Sequence, residues 1–123
     1  INDQWGHAAG DFVLVSVSSR LSELLRKSDT VSRFGGDEFL ILLDGFLQVD
    51  EIKNVVLKMI DILAEPIEYE GNTMVISASA GIAIFPNDDL EIEELIRKSD
   101  EAMYYIKEHG RNGYRFYRDG EQL

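Results

Sequence analysis

Apolar residues recur along this chain with two different periods, and where one period gives way to the other the elements change. Between residues 11 and 27, Leu14, Val17, Leu21, Leu24 and Leu25 fall at helical spacing and predict a first helix with one apolar face. Asp11 stands at its start, where an acid suits the positive end of the helix dipole. Residues 1–10, INDQWGHAAG, read as a turn-rich loop. Residues 50–64 carry the clearest stripe, Ile52, Val55, Val56, Met59, Ile60 and Leu63, with Pro66 just past the end. A last helix is predicted from about Glu91 to His109, with Ile92, Leu95, Ile96, Ala102, Met103 and Ile106 inward and Gly110 as its cap.

The remaining apolar runs are short and rich in β-branched residues. TVSRF and EFLILL flank Gly35–Gly36, and a diglycine link between two such runs predicts a hairpin, because glycine adopts positive φ readily. The unbroken FLILL predicts a strand covered on both faces. IEYEGNTMVISASAGIAIF, residues 67–85, reads as a second hairpin turning near Gly71–Asn72, and YRFY, residues 114–117, as a short edge strand. The order helix, hairpin, helix, hairpin, helix, short strand predicts an α/β fold of the α+β sandwich kind. A mainly antiparallel central sheet is flanked by helices in one domain.

Composition adds exclusions. The 123 residues are 45% hydrophobic and 28% charged, ordinary for a domain with a real core. No apolar run approaches the ~20 residues of a membrane helix, and no signal-peptide pattern is present. The absence of cysteine removes disulfides and thiolate metal sites and fits a cytoplasmic setting, with a membrane tether elsewhere in a parent protein left open. A net charge of −11 argues against sequence-independent binding of nucleic acid. It also means that a bound phosphate ligand needs a cation to offset repulsion.

Candidate chemistry centres on SRFGGDEFLIL, residues 32–42, where Asp37 and Glu38 follow the glycines at the mouth of an apolar run. Successive strand residues point to opposite faces, so only one of the two acids enters a given cleft. A carboxylate fixed beside a rigid turn is a good ligand for a hard cation such as Mg²⁺, which keeps water and substrate phosphate in its remaining positions. Taken singly, Asn2 is a loop residue, Asp11 a helix-terminal acid, and Lys107 and Arg111 basic groups at a helix end. Arg26 and Asp29 read either as a frayed helix end with a weak ion pair or as a binding pair. Arg33 suits a structural role, and Trp5 and His7 suit loop packing.

GGDEF at 35–39, preceded by IND, GH, GD and SD and followed by SASAGIAIFP and KSDEAMYYIKEHGRNGY, resembles the GGDEF family of diguanylate cyclases over essentially the whole chain. The resemblance implies a fold similar to nucleotidyl cyclase and polymerase palm domains, and condensation of two GTP into cyclic di-GMP with release of two pyrophosphates. It implies that Asp37 binds the metal, Mg²⁺ or Mn²⁺, and that Glu38 supports it or assists activation of the 3′-hydroxyl. Gly35 and Gly36 would let the backbone approach the nucleotide. Asn2 and Asp11 would read guanine, whose N1–H and N2 amino group one carboxylate can accept together. Lys107 and Arg111 would contact the phosphates, and the structural role of Arg33 would extend to a place near the partner nucleotide. Arg26 and Asp29 have the spacing of the family's inhibitory product site for cyclic di-GMP, with Lys53 and Lys58 as candidates for its second half.

The two-fold symmetric product implies a homodimer. Family domains begin with a helix and a metal-binding strand that precede IND, so residues 1–123 are expected to be a single GGDEF domain lacking its N-terminal helix and first strand. The isolated fragment is then weak or inactive, while its parent is a cyclase with adjoining sensor or phosphodiesterase domains. The alternatives are a catalytically inactive module that binds GTP or cyclic di-GMP to regulate such a domain, and a cyclase of other base specificity. The presence of Asn2, Asp11, Asp37, Glu38, Lys107 and Arg111 favours the enzyme.

Overall fold

Helix α1, His7–Leu24, begins earlier than its apolar spacing suggests. The segment His7-Ala8-Ala9 contains strong helix formers, and the helix extends back through it. Asp11 therefore lies exposed in the second turn, and the dipole role expected for it does not hold. The buried row is Ala9, Val13, Val17 and Leu21, an unbroken i, i+4 ridge; Leu14, Leu24 and Leu25 are half-buried beside it. In this computed structural model the described residues are 7–35, 38–45 and 48–118. They fall into two units, Ile1–Ile76 and Ser77–Leu123.

In the first unit, β1, Thr30–Gly35, runs antiparallel to β2, Glu38–Leu42, with Thr30 opposite Leu42 and Gly35 opposite Glu38. The expected hairpin is present, with Gly35 as the last residue of β1; residues 36 and 37 lie outside the described residues. The ladder slips between Arg33 and Gly35, a bulge at the approach to the turn. The expectation that FLILL is covered on both faces is not met: Glu38 to Ile41 are half-buried and Leu42 is 44% exposed. Among the described residues β2 has a single ladder neighbour.

Helix α2, Val49–Leu63, buries Val56, Met59 and Leu63 from the predicted stripe. The Gln48 N–H donates to the Glu51 carboxylate at 3.2 Å, which satisfies one orphan donor at the helix start. At the other end, the Arg20 guanidinium of α1 donates to the carbonyls of Ile62 at 3.1 Å, Glu65 at 2.7 Å and Pro66 at 3.0 Å. A cation thus closes the negative end of α2, where the last carbonyls have no helical partner. Strands β3, Ile67–Tyr69, and β4, Asn72–Met74, form an antiparallel hairpin around Glu70 and Gly71, both at positive φ, +48° and +80°. The turn falls one residue before the predicted position.

The second arm of that hairpin does not continue to residue 85. Pairing stops at Met74, and β5, Ser79–Ile82, belongs to the second unit, where it pairs with β6, Gly113–Phe116. This pair is parallel, while the other two ladders among the described residues are antiparallel as expected; what it corrects is the reading of residues 67–85 as one hairpin. The reason is the connection: helix α3, Ile92–Glu108, returns the chain to the start of the sheet, as a crossover must. Asp89 precedes α3 and its Oδ1 accepts the N–H of Leu90 at 2.8 Å and of Glu91 at 3.0 Å. Ala102 and Phe116 are buried, while Leu95, Ile96, Met103 and Ile106 are half-buried. Ile92, expected inward, is 53% exposed; it is the first helical residue, and a helical side chain points back toward the N-terminus. Gly110, at φ +106°, terminates the element as expected.

Candidate functional site

The strongest local geometry lies at the exit of α1. Leu25 completes the helix by donating to the Leu21 carbonyl, and the chain turns through Lys27 and Ser28 into β1. Asp29 folds back into this turn: its Oδ2 accepts the Arg26 N–H at 2.9 Å and the Arg26 Nε at 3.3 Å. Its Oδ1 accepts Arg26 Nη2 at 3.3 Å and the Asp44 N–H at 3.1 Å. The Arg26 guanidinium also donates to the Asp44 carbonyl. The Asp29 side chain is 1% exposed and that of Arg26 51% exposed. This is no frayed helix end: the buried acid is shared by the helix exit and the far end of the β1–β2 hairpin. Asp44 was missed from the sequence, although the register that sets Thr30 opposite Leu42 brings residues 29 and 44 together. Ser22, Leu25, Arg26, Lys27, Asp29 and Val31 line a hollow of about 250 Å³ at this place.

Burial alone pushes the Asp29 carboxyl up. The hydrogen bonds from the Arg26 side chain and backbone, that from the Asp44 backbone, and the Arg26 charge together outweigh it and hold the group below its usual value of 3.8. A carboxylate whose native pKa is depressed stabilises the fold above its unfolded pKa and loses that contribution as pH falls through the native value. Asp29→Asn replaces one of these acceptor oxygens by an NH2 group, which faces N–H donors it cannot accept from. It is expected to lower stability at pH 7 by about 1–3 kcal/mol, with the half-exposed Arg26 favouring the low end. The gap between variant and wild type narrows as pH falls below the usual carboxylate value and through the lowered native one. Denaturant melts at several pH values check this; a gap independent of pH would show that the charge of Asp29 contributes nothing.

The residues of the GGDEF segment divide between described and undescribed positions. Gly35 ends β1 and Glu38, half-buried, opens β2 opposite it. Asn2, Gly36 and Asp37 lie outside the described residues, as do Trp5 and the side chain of His7. Arg33 is exposed on β1, and Lys53 and Lys58 are exposed on α2. In the second unit, Lys107 is half-buried in the last turn of α3. Arg111 is off the helix: it lies in the following turn, exposed, at φ +59°, its N–H donating to the Ile106 carbonyl at 2.8 Å.

Among the described residues no group of three or more His, Asp or Glu side chains converges as a metal site. The donor chemistry of the hairpin nonetheless suits a hard cation, since Asp37 and Glu38 are adjacent carboxylates and the chain has no cysteine. No helix among the described residues is long and apolar enough to cross a membrane.

Comparison with known proteins agrees with this arrangement. The family model described as diguanylate cyclase, GGDEF domain, matches residues 1–113. The chain is 38% identical over 117 residues to the bifunctional diguanylate cyclase/cyclic di-GMP phosphodiesterase MucR of Pseudomonas aeruginosa, covering 95% of this chain and 17% of that protein. The solved GGDEF domain of PA1120 (YfiN or TpbB) from Pseudomonas aeruginosa superimposes with a TM-score of 0.89 at 37% identity, over 94% of this chain and 73% of that one. The active GGEEF domain of a diguanylate cyclase from Vibrio cholerae gives 0.82 at 31% identity, over 95% and 74%. This chain belongs to the GGDEF family of diguanylate cyclase domains, with the palm-like nucleotidyl cyclase fold and the divalent-cation chemistry that membership implies. It spans about a sixth of the length of MucR.

Proposed function

We propose that this domain, within its parent protein, condenses two GTP into cyclic di-GMP and two pyrophosphates in the cytoplasm. The observation that carries the reading is the hairpin register, which sets Gly35 and Glu38, the described ends of the family motif, opposite each other. That pairing supports a site where backbone and carboxylate approach a nucleotide together.

In this reading Asp37 and Glu38 hold Mg²⁺ or Mn²⁺, and the ion when bound supplies charge stabilisation at the α-phosphate and acidifies the attacking 3′-hydroxyl. Asp11 and Asn2 select guanine by accepting its N1–H and N2 amino hydrogens and by amide pairing. An adenine leaves those groups unpaired. Lys107 and Arg111 neutralise the triphosphate, which a chain of net charge −11 cannot otherwise attract. Two domains face each other as a homodimer, each presenting one GTP to the other. The hollow at Arg26 and Asp29 takes the product: the exposed guanidinium stacks on or hydrogen-bonds guanine, while the acid keeps it aimed.

The test is turnover of labelled GTP with Mg²⁺ by the parent protein, read as cyclic di-GMP, with ATP as competitor. Product formation from GTP alone is expected. Binding of GTP or cyclic di-GMP without turnover would favour a regulatory module instead, and equal use of ATP would overturn the guanine assignment.

A further inference from the structure

The turn between α3 and β6 carries Arg111, and its backbone is costly. Gly110, Arg111 and Asn112 all have left-handed φ, +106°, +59° and +56°; Gly adopts that region freely and Asn tolerates it, but for Arg it is unfavourable. Three backbone amides hold the turn: Arg111 N–H donates to the Ile106 carbonyl at 2.8 Å, Asn112 N–H to the Ser79 side-chain Oγ at 3.3 Å, and Gly113 N–H to the Ala78 carbonyl at 3.0 Å.

A side-chain strut spans the same turn. The Tyr105 ring, in the last turn of α3, stacks on the ring of His109, the C-cap, with centroids 3.8 Å apart and planes 14° apart. The Arg115 guanidinium carbon, on β6, lies 3.6 Å from the same Tyr105 centroid. Two groups so near one centroid cannot share a face, so the phenol ring is sandwiched between imidazole and guanidinium. His109 Nδ1 also lies 2.7 Å from the Tyr105 carbonyl. Helix end, cap and strand are thereby joined across residues 106–114, on both sides of Arg111.

We propose that the Arg115–Tyr105–His109 stack is a positioning device for Arg111. It holds the left-handed turn closed before nucleotide arrives, so that the exposed guanidinium meets the triphosphate of GTP without first ordering its backbone. Tyr105, His109 and Arg115 need not touch the ligand; they act through the turn. The proposal rests on the reading of Arg111 as a phosphate ligand.

The experiment measures GTP affinity by calorimetry at fixed salt, and amide hydrogen exchange across 110–113 without nucleotide, on wild type, Tyr105→Ala, Tyr105→Phe, Arg115→Ala and the same changes in an Arg111→Ala background. Tyr105→Ala is expected to weaken GTP binding about five- to tenfold, the worth of a partly desolvated guanidinium–ring contact. It also speeds exchange of the Arg111 and Asn112 amides. Tyr105→Phe preserves both, and Arg115→Ala, which leaves the helix intact, reproduces the loss. In the Arg111→Ala background the further loss disappears, because the stack acts only through that residue. Unchanged affinity in Tyr105→Ala and Arg115→Ala, or a loss fully additive with Arg111→Ala, would overturn the proposal alone. Wild type binding GTP no more tightly than Arg111→Ala does would overturn the phosphate reading and this inference with it.

Discussion

Gly81→Ala lowers the midpoint of thermal unfolding by about 10 °C, while Gly113→Ala leaves it within about 2 °C; these are the expected outcomes for two glycines of adjacent strands. A Cβ at Gly81 would stand inside van der Waals contact of the Ser99 carbonyl oxygen and the Met103 nitrogen, and 3.0 Å from Met103 Cα. Those are backbone atoms of α3, which cannot turn aside as a flexible side chain does. The helix must lift from β5, and overpacking of this kind costs about 1–3 kcal/mol. In a domain whose whole stability is about 5–15 kcal/mol, that is a large fraction. Gly113 has nothing within 4 Å of its would-be Cβ. Scanning calorimetry of both variants decides the matter. Equal midpoints would mean that α3 does not rest on β5 at Gly81.

The second large effect concerns turnover. Asp37→Asn in the parent protein is expected to reduce cyclic di-GMP formation about a thousandfold, because a cation clamp on the reacting phosphate is worth several kcal/mol of transition-state stabilisation and each 1.36 kcal/mol is a factor of about ten. The fold is expected to persist, since Asn keeps the size of the Asp side chain and the β1–β2 ladder pairs Gly35 with Glu38 through the backbone. Asp37→Glu keeps the charge and is expected to retain a substantial part of the activity, in line with the active Vibrio cholerae relative that carries GGEEF. The measurement is product formation by chromatography across the three proteins, with GTP binding alongside. An Asn variant that turns over at the wild-type rate removes Asp37 from the metal site. A Glu variant as inactive as Asn would show that ligand reach, as well as charge, is decisive.

How legible the molecule was in its sequence differs from element to element, for physical reasons. Helix α2 was legible almost to the residue because Ile52, Val55, Val56, Met59, Ile60 and Leu63 form one stripe with Pro66 just past its end. The β1–β2 hairpin was legible because two apolar runs flank glycines. Helix α1 was misplaced at its start because Ala8, Ala9 and Gly10 carry little periodic signal, and so the role of Asp11 at a helix terminus was misjudged. The split between β4 and β5 was hidden inside TMVISASAGI, an unbroken strand-like run whose pairing partner is chosen by neighbours rather than by its own residues. The ordered set of motifs placed the chain in its family, and the matched region confirms it.

The sequence alone determined the family, the helical stripes, the β1–β2 hairpin and the presence of the GGDEF motif itself, because each of these is a matter of local period or of letters in order. Tertiary structure decided that β5 and β6 run parallel, that Gly81 touches the backbone of α3, that Asp29 is buried between Arg26 and Asp44, and that Tyr105 is sandwiched across the turn bearing Arg111. Each of the latter joins residues from different elements. Such contacts follow from which surfaces pack together once the elements exist, and no local period encodes them.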